Sequence, residues 1–295
     1  MSYLLKSRNS DPTRQKLASS EEHHAKVHEV RELLGDLPRE MPSFLSDATI
    51  RRFLRARNWS VVQAAKNLKE AAKWRSQYQP EKIHWEDIAD SENEAKRAYI
   101  PDYLDKNGRS IFVTLPAIKS NTSEKDHIKY LVYILENLVL NSEDAGEENV
   151  IWMCDFRGWA ISSTPFSLTR ESLHIIQKYY PGMIAVAILT NPPKIFESFW
   201  KIMTHFLEPK MNEKVKFVYN NNSDSQRTMA DIFDLDKLES TFGGRNTAGV
   251  DISKYAERMK RQDQIRRAST NANADANTYF FMILNESWRF HMKNA

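Results

Sequence analysis

The sequence predicts an α/β protein in which an N-terminal helical unit precedes a mostly parallel sheet with crossover helices. Three observations predict this class. Apolar residues recur at helical spacing through residues 21–92. From Tyr99 onward, short apolar runs of strand length alternate with helical segments, as in parallel sheets with right-handed crossovers. Runs such as 184–189 are apolar at every position, as expected for strands buried on both faces.

The N-terminal helical unit is expected at residues 21–92 and contains three main helices. The first ends at Gly35, because glycine is favoured just after a helix. The second begins after Ser46 or Asp47, and the third begins at Ser60, because such polar residues cap helix starts.

The middle of this unit is strongly basic. Residues 50–75 contain eight Lys and Arg against Glu70 alone. This imbalance predicts an acidic partner surface, with anionic lipid headgroups as one candidate.

The second region, residues 93–250, carries the predicted sheet. It begins with an Asn107-Gly108 turn between two β-like runs, which is a hairpin signal. Strands are predicted at 110–115, 150–155, 183–190 and 215–219, and helices at 124–140, 166–179, 195–207 and 231–238.

The two ends of the chain differ in composition from the regions between them. Residues 1–20 are polar and expected to be disordered, whereas 251–295 form a basic, low-complexity tail. Within the tail, 254–267 is expected as a polar helix or coil, and the apolar run 279–284 is too short to span a bilayer.

The helix at 195–207 carries an unusual amount of large, soft side chain. An ordinary crossover helix packed on the sheet explains this pattern. That is the favoured interpretation from composition alone, and the alternative is a lid that contacts a lipid when closed and a membrane when open. Its predicted apolar face consists of Phe196, Phe199, Trp200, Met203 and Phe206.

Composition restricts the class of protein. The single cysteine, Cys154, excludes an intramolecular disulfide and suits a reducing compartment. Neither a signal peptide nor an apolar run of membrane-spanning length is visible. A net charge of +3 is too small to indicate nucleic acid. We therefore expect a soluble, cytoplasmic protein.

Signatures of catalysis and of cofactor or metal binding are missing from the sequence. It has no nucleotide-binding glycine motif, no nucleophile elbow and no metalloprotease motif. His24 and His28 are four residues apart on a helix, but two ligands do not make a metal site. Asp155 at a strand end is either a carboxylate at a ligand crevice or a turn-forming residue. We expect no enzyme, no metal and no cofactor.

Several motifs in order resemble the CRAL-TRIO lipid-binding domain family. They are R-R-F-L-R-A-R, an N-G-R hairpin, D-F-R-G, Y-Y-P, N-P-P with a following F-W and F-L-E-P, K-V-K-F-V and a terminal F-G-G. The resemblance covers residues 33–244 and is strongest to phosphatidylinositol/phosphatidylcholine transfer proteins of the short plant type.

The resemblance implies a binding module that encloses one phospholipid in an apolar cavity. The helix 195–207 matches the family's gate helix, which moves to admit or release lipid at a membrane. Arg57 and Lys214 match residues that bind a phosphoinositide headgroup. A cation on each side of a phosphate suits that chemistry.

Other headgroup positions depart from the family pattern. Gly182 and Met183 stand where a Glu and an Arg usually follow Y-Y-P, and Met211 stands where a Thr is common. Val150 and Trp152 occupy the positions of a Ser and a Thr that bind phosphocholine. The resemblance therefore implies phosphatidylinositol rather than phosphatidylcholine as ligand.

Two alternatives remain at this point: a carrier of another apolar ligand, and a regulatory interaction module that uses the fold without transferring lipid. The segment Arg266-Arg267-Ala268-Ser269 also resembles a site for basophilic kinases.

Overall fold

The computed structural model describes residues 12–119, 121–140 and 150–268, with side chains from residue 20 onward. The chain divides into two compact units, Met1–Ala72 and Lys73–Ala295. The division falls within a helix. The domain limits at residues 92 and 250 remain predictions.

Helical turns make up the described part of the N-terminal unit. Helix α1 begins at Pro12, earlier than the residue 21 predicted from the sequence, while residues 1–11 lie outside the described part. The side chain of Ser46 accepts a hydrogen bond from the backbone N–H of Thr49 and so caps α3. The helices that lie wholly or partly in this unit are α1 (Pro12–Leu34), α2 (Leu37–Glu40), α3 (Asp47–Ala56) and α4 (Val61–Tyr78).

Many apolar residues that recur at helical spacing in these helices are buried. Val30 of α1, Phe53 of α3 and Leu68 of α4 are fully buried. An ion pair between Arg31 and Asp47, 2.6 Å long, links α1 to α3 at the surface.

The second unit is built on a five-stranded sheet with strands in sequential order. Strand β1 is antiparallel to β2, and the following three pairings are parallel. The α/β class with a mostly parallel sheet is confirmed. The strands are β1 (Ala98–Tyr99), β2 (Ser110–Thr114), β3 (Val150–Asp155), β4 (Ile184–Thr190) and β5 (Val215–Val218).

The helices of this unit follow the sequence expectation at α6 and α7 and depart from it later. The segment expected at 231–238 is instead a helix at Ser223–Ile232, because Asn222 caps its start by accepting from the Ser225 N–H. The helices are α5 (Ser91–Arg97), α6 (Glu124–Leu140), α7 (Phe166–Tyr179), α8 (Phe196–Met203), α9 (Pro209–Asn212), α10 (Ser223–Ile232) and α11 (residues 252–268).

Helix α11 belongs to the core rather than to a polar tail, which corrects the expectation for this stretch. Met259 is fully buried. The Asp263 carboxylate accepts hydrogen bonds from the backbone N–H of Trp85 at 2.7 Å and from the Tyr133 hydroxyl at 3.1 Å. The remainder of the predicted tail, including Ser269 and the run 279–284, lies outside the described residues.

A buried ion pair ties the end of α4 to α6. The Arg75 guanidinium donates to both oxygens of the Glu136 carboxylate at 2.8 Å, and the Tyr180 hydroxyl donates to the same carboxylate at 2.6 Å. Burial by itself disfavours a charged Glu136. The contacts with Arg75 and Tyr180 outweigh burial, so the pKa of Glu136 lies below its ordinary value.

Candidate functional site

A cavity of about 210 Å³ lies between one face of the sheet and helices α6, α7 and α8. Alternate strand residues form its floor, because successive side chains of a strand point to opposite faces. The intervening residues, such as Ile111, Val113 and Ile151, are fully buried on the opposite face. The strands are therefore buried on one face and line the cavity with the other. The floor consists of Phe112, Thr114, Trp152, Cys154, Ala187, Leu189 and Val215.

Helix α8 forms one wall of this cavity. Of its predicted apolar face, Phe196, Phe199, Trp200 and Met203 line the cavity. The helix is shorter than the predicted 195–207, because residues 204–206 continue as a turn of 3₁₀ helix. Phe206 lies on that turn, half exposed, and packs edge-on against Phe166 at 5.5 Å.

An aromatic cluster anchors the first turn of α8. Phe196 is 2% exposed, and its ring lies 4.2 Å from the ring of Phe156 and 5.3 Å from that of Trp159. Phe156 and Trp159 belong to the turn after β3. The position of α8 thus depends on contacts with the turn that follows β3.

The same turn decides the role of Asp155. Its carboxylate accepts from the Arg157 backbone N–H at 3.0 Å and from the Arg157 guanidinium at 2.7 to 3.1 Å. The pair raises the pKa of Arg157 above its ordinary value, through the hydrogen bond to Asp155. Asp155 therefore stabilises the turn, and both of its carboxylate oxygens are hydrogen-bonded to Arg157.

The outer face of α8 exposes apolar side chains. Ile195, at the residue before the helix, and Ile202 are each 52% exposed. Glu197 and Lys201 are exposed on the same helix. Apolar side chains therefore lie on both the cavity side and the exposed side of this helix.

Glu94, Arg97 and His127 form a group of neighbouring polar side chains on the cavity wall. His127 Nδ1 lies 2.7 Å from the Glu94 carboxylate, and Arg97 Nη1 lies 3.0 Å from His127 Nε2. The sequence analysis missed this group. The i,i+3 spacing of Glu94 and Arg97 was visible, but His127 is 30 residues away and joins them only in the folded chain.

Lys214 immediately precedes the cavity residue Val215. Its ammonium donates to the Ile184 carbonyl at 2.9 Å, and it is half buried. It is not among the described residues that line the cavity. Arg57 belongs to the N-terminal unit, where its guanidinium donates to the Ala56 carbonyl at 3.3 Å and contacts the side-chain amide of Asn67. Their shared role at a headgroup stays a prediction.

The positions that depart from the family pattern are apolar in the structure as well. Val150 and Met183 are buried, and Trp152 lies on the cavity floor with its indole N–H donating to Thr114 at 3.0 Å. Met211 lines the cavity, and Gly182 adopts a left-handed backbone conformation with φ of 69°.

Within residues 12–119, 121–140 and 150–268, no helix combines the length and apolarity needed to cross a bilayer. The same part of the chain contains no group of three or more potential metal-ligating side chains.

Comparison with known proteins identifies the family to which this chain is similar. Residues 93–244 match the CRAL/TRIO domain, and residues 14–70 match the CRAL/TRIO N-terminal domain. The SEC14 cytosolic factor of Candida glabrata is 30% identical over 220 residues, which cover 68% of this chain and 72% of that protein. The SEC14 cytosolic factor of Kluyveromyces lactis is 29% identical over 243 residues, covering 76% and 79%.

The fold itself is also known from a solved structure. The crystal structure of Sfh5 matches with a TM-score of 0.58 at 14% identity, covering 77% of this chain and 91% of that one. The architecture, the cavity and the sequence matches agree. The chain belongs to the CRAL-TRIO family, a family of lipid-binding and lipid-transfer proteins.

Proposed function

We propose that this protein binds one phospholipid, phosphatidylinositol, in the cavity under α8 and exchanges it at membranes. The observation that carries the proposal is the cavity itself: an almost wholly apolar space, floored by strand side chains and closed by an aromatic helix. It offers acyl chains an environment free of water.

The energetics of acyl chains explain why a gate is useful. Burial of each methylene is worth about 0.8 kcal/mol, so sixteen of them amount to roughly 13 kcal/mol. A lipid released into water would lose this stabilisation, and spontaneous release is therefore slow. If α8 opens against a bilayer instead, the chains pass from one apolar environment to another.

The closed cavity has to expand to hold two chains. Its volume of about 210 Å³ is below the roughly 300–1,000 Å³ of pockets that enclose drug-sized ligands. Movement of α8 would supply the added volume, because its side chains Phe196, Phe199, Trp200 and Met203 form one wall of the cavity. Exposed Ile195 and Ile202 on its outer face suit contact with the bilayer during that movement.

Phosphatidylinositol is the proposed ligand because the polar residues present suit its headgroup better than they suit the headgroup of phosphatidylcholine. Arg57 and Lys214 supply two cations for phosphate. The hydroxyl-bearing positions expected for phosphocholine are filled by Val150 and Trp152, which offer no hydroxyl. We propose a cytoplasmic monomer with transient membrane association; the curated relatives are named cytosolic factors.

The first test identifies what the purified protein carries. Lipid extraction and mass spectrometry should find phosphatidylinositol in one-to-one amount, and vesicle-to-vesicle transfer of labelled phosphatidylinositol should exceed background. The double variant Arg57→Glu/Lys214→Glu should lose that transfer. Arg51→Glu/Lys216→Glu, with the same change in net charge on neighbouring positions, is the matched control. Equal transfer by the two double variants would refute the headgroup assignment.

A carrier of a smaller apolar ligand is the second candidate, and the small cavity volume favours it. In that case the extracted ligand would be a single-chain molecule, and the Arg57/Lys214 double variant would load it normally. A protein that carries no ligand and transfers none, but retains a partner through its basic N-terminal unit, would instead be a regulatory interaction module.

A further inference from the structure

The cavity wall contains a charged group where an apolar wall would be expected. Among the described residues that line the cavity, the charged side chains are those of Glu94 and Arg97. Glu94 is 2% exposed, and the Arg97 side chain is 14% exposed. Placing charges beside an apolar space costs free energy unless they are hydrogen-bonded or meet a ligand.

Hydrogen bonds fix the orientation of the Arg97 guanidinium. Its Nε donates to the Ile118 carbonyl at 2.8 Å, and Nη1 lies against the His127 ring, 3.0 Å from Nε2. His127 Nδ1 is 2.7 Å from the Glu94 carboxylate and also 2.7 Å from Arg97 Nη1, so the imidazole ring packs against both charged groups.

One nitrogen of the Arg97 guanidinium takes no part in these hydrogen bonds. Nη2 of Arg97 makes no hydrogen bond with any residue in the described part of the chain. The Glu94 carboxylate is 3.4 Å from Arg97 and is bonded more closely by His127 at 2.7 Å and by the Thr122 hydroxyl at 2.6 Å. Glu94 therefore neutralises Arg97 only in part, since strong charge-assisted hydrogen bonds are shorter than about 2.9 Å.

We propose that Arg97 binds the anionic end of the ligand through a carboxylate or phosphate oxygen, with Glu94 and His127 as positioning residues. The proposal rests on the proposed binding of a lipid in this cavity. It places the anionic group on the cavity wall beside α5 and α6, independently of Lys214 and Arg57. A planar donor fork held by three neighbours is preorganised for such an oxygen.

The experiment compares four probes with the full-length protein. Parinaric acid and its methyl ester differ only in the carboxylate. A pyrene-labelled phosphatidylinositol and a diacylglycerol with the same chains differ in the phosphoinositol group. Each probe is titrated against the wild type, Arg97→Gln and a matched control, Arg109→Gln, which removes another partly buried, ion-paired arginine away from the cavity.

We expect Arg97→Gln to weaken one charged probe on the order of tenfold or more and to leave its uncharged counterpart unchanged. Selective loss of parinaric acid identifies a carboxylate ligand, and selective loss of phosphatidylinositol identifies a phosphate. Arg109→Gln should change neither. Equal effects on charged and uncharged probes, or none, would overturn the role of Arg97.

Two further measurements separate this role from folding and from the proposed function. Glu94→Gln/Arg97→Gln removes both charges, so it avoids a buried unpaired carboxylate, and it should show the same selective loss with an unchanged Tm. Glu94→Gln alone keeps the Arg97 donors and should bind the charged probe at least as well as wild type. A wild type that binds none of the four probes would overturn the proposed function itself.

Discussion

Truncation of Phe196 tests whether α8 moves as a separate element. Phe196 is buried in a cluster whose nearest ring, that of Phe156, is 4.2 Å away. Replacing a buried Phe by Ala costs about 3–5 kcal/mol. If α8 opens locally, the open state has already lost these contacts, so nearly all of the cost falls on the closed state.

The expected change is therefore in local opening rather than in global unfolding. At 1.4 kcal/mol per factor of ten, 3 kcal/mol corresponds to about a 100-fold larger population of the open state. Amide hydrogen exchange followed by mass spectrometry should show residues 196–206 exchanging about 100-fold faster in Phe196→Ala, with exchange in α10 unchanged. Lipid transfer between vesicles should become faster.

Phe233→Ala is the matched control, because Phe233 is equally buried but lies in the main core of the unit. It should lower the free energy of unfolding and leave the exchange of α8 relative to α10 unchanged. If Phe196→Ala accelerated α8 and α10 equally, α8 would not open independently and the gate interpretation would be refuted.

Three other features give measurable expectations. Glu136→Gln should lower the free energy of unfolding by about 3–5 kcal/mol at neutral pH. Because the pKa of Glu136 is lowered from 4.5 in the folded protein, its carboxylate stabilises the fold above that pH, and this stabilisation is lost as the pH falls below it. The free energy of unfolding of the variant should therefore fall less steeply in acid than that of the wild type. Burial raises the pKa of Cys154 to about 12, so a thiol reagent at pH 8 should react on the order of 10³-fold more slowly with the folded than with the urea-unfolded protein; equal rates would show that the cavity floor is open to water. A Cβ on Gly244 would lie 1.9 Å from the Leu238 carbonyl oxygen, so Gly244→Ala should cost about 1–3 kcal/mol in urea unfolding, whereas Gly249→Ala, which meets no atom within 4 Å, should be neutral.

Helix and strand limits in the sheet region were accessible from the sequence because local pattern and final environment agree there. The strand Val150–Asp155 and the helices Glu124–Leu140 and Phe166–Tyr179 have the predicted bounds. These segments are buried on several sides, so their apolar pattern is strong. The fold class followed from their alternation.

Elements with weaker apolar patterns were misread. Helix α11 contains many Lys and Arg, and the few apolar residues that bury it, such as Met259, were outweighed by that composition. Its docking depends on Asp263, whose partners Trp85 and Tyr133 lie more than 100 residues earlier. No local window of sequence contains that information.

Apolar periodicity was enough to predict an aromatic helix after a buried strand, and the motifs around it indicated the family. Which side of that helix faces a cavity, and that Ile195 and Ile202 are exposed, became known from the folded chain. Folding also brought Arg97 and His127 together on the cavity wall. Periodicity fixes which residues share a face of an element, whereas long-range packing fixes what each face contacts.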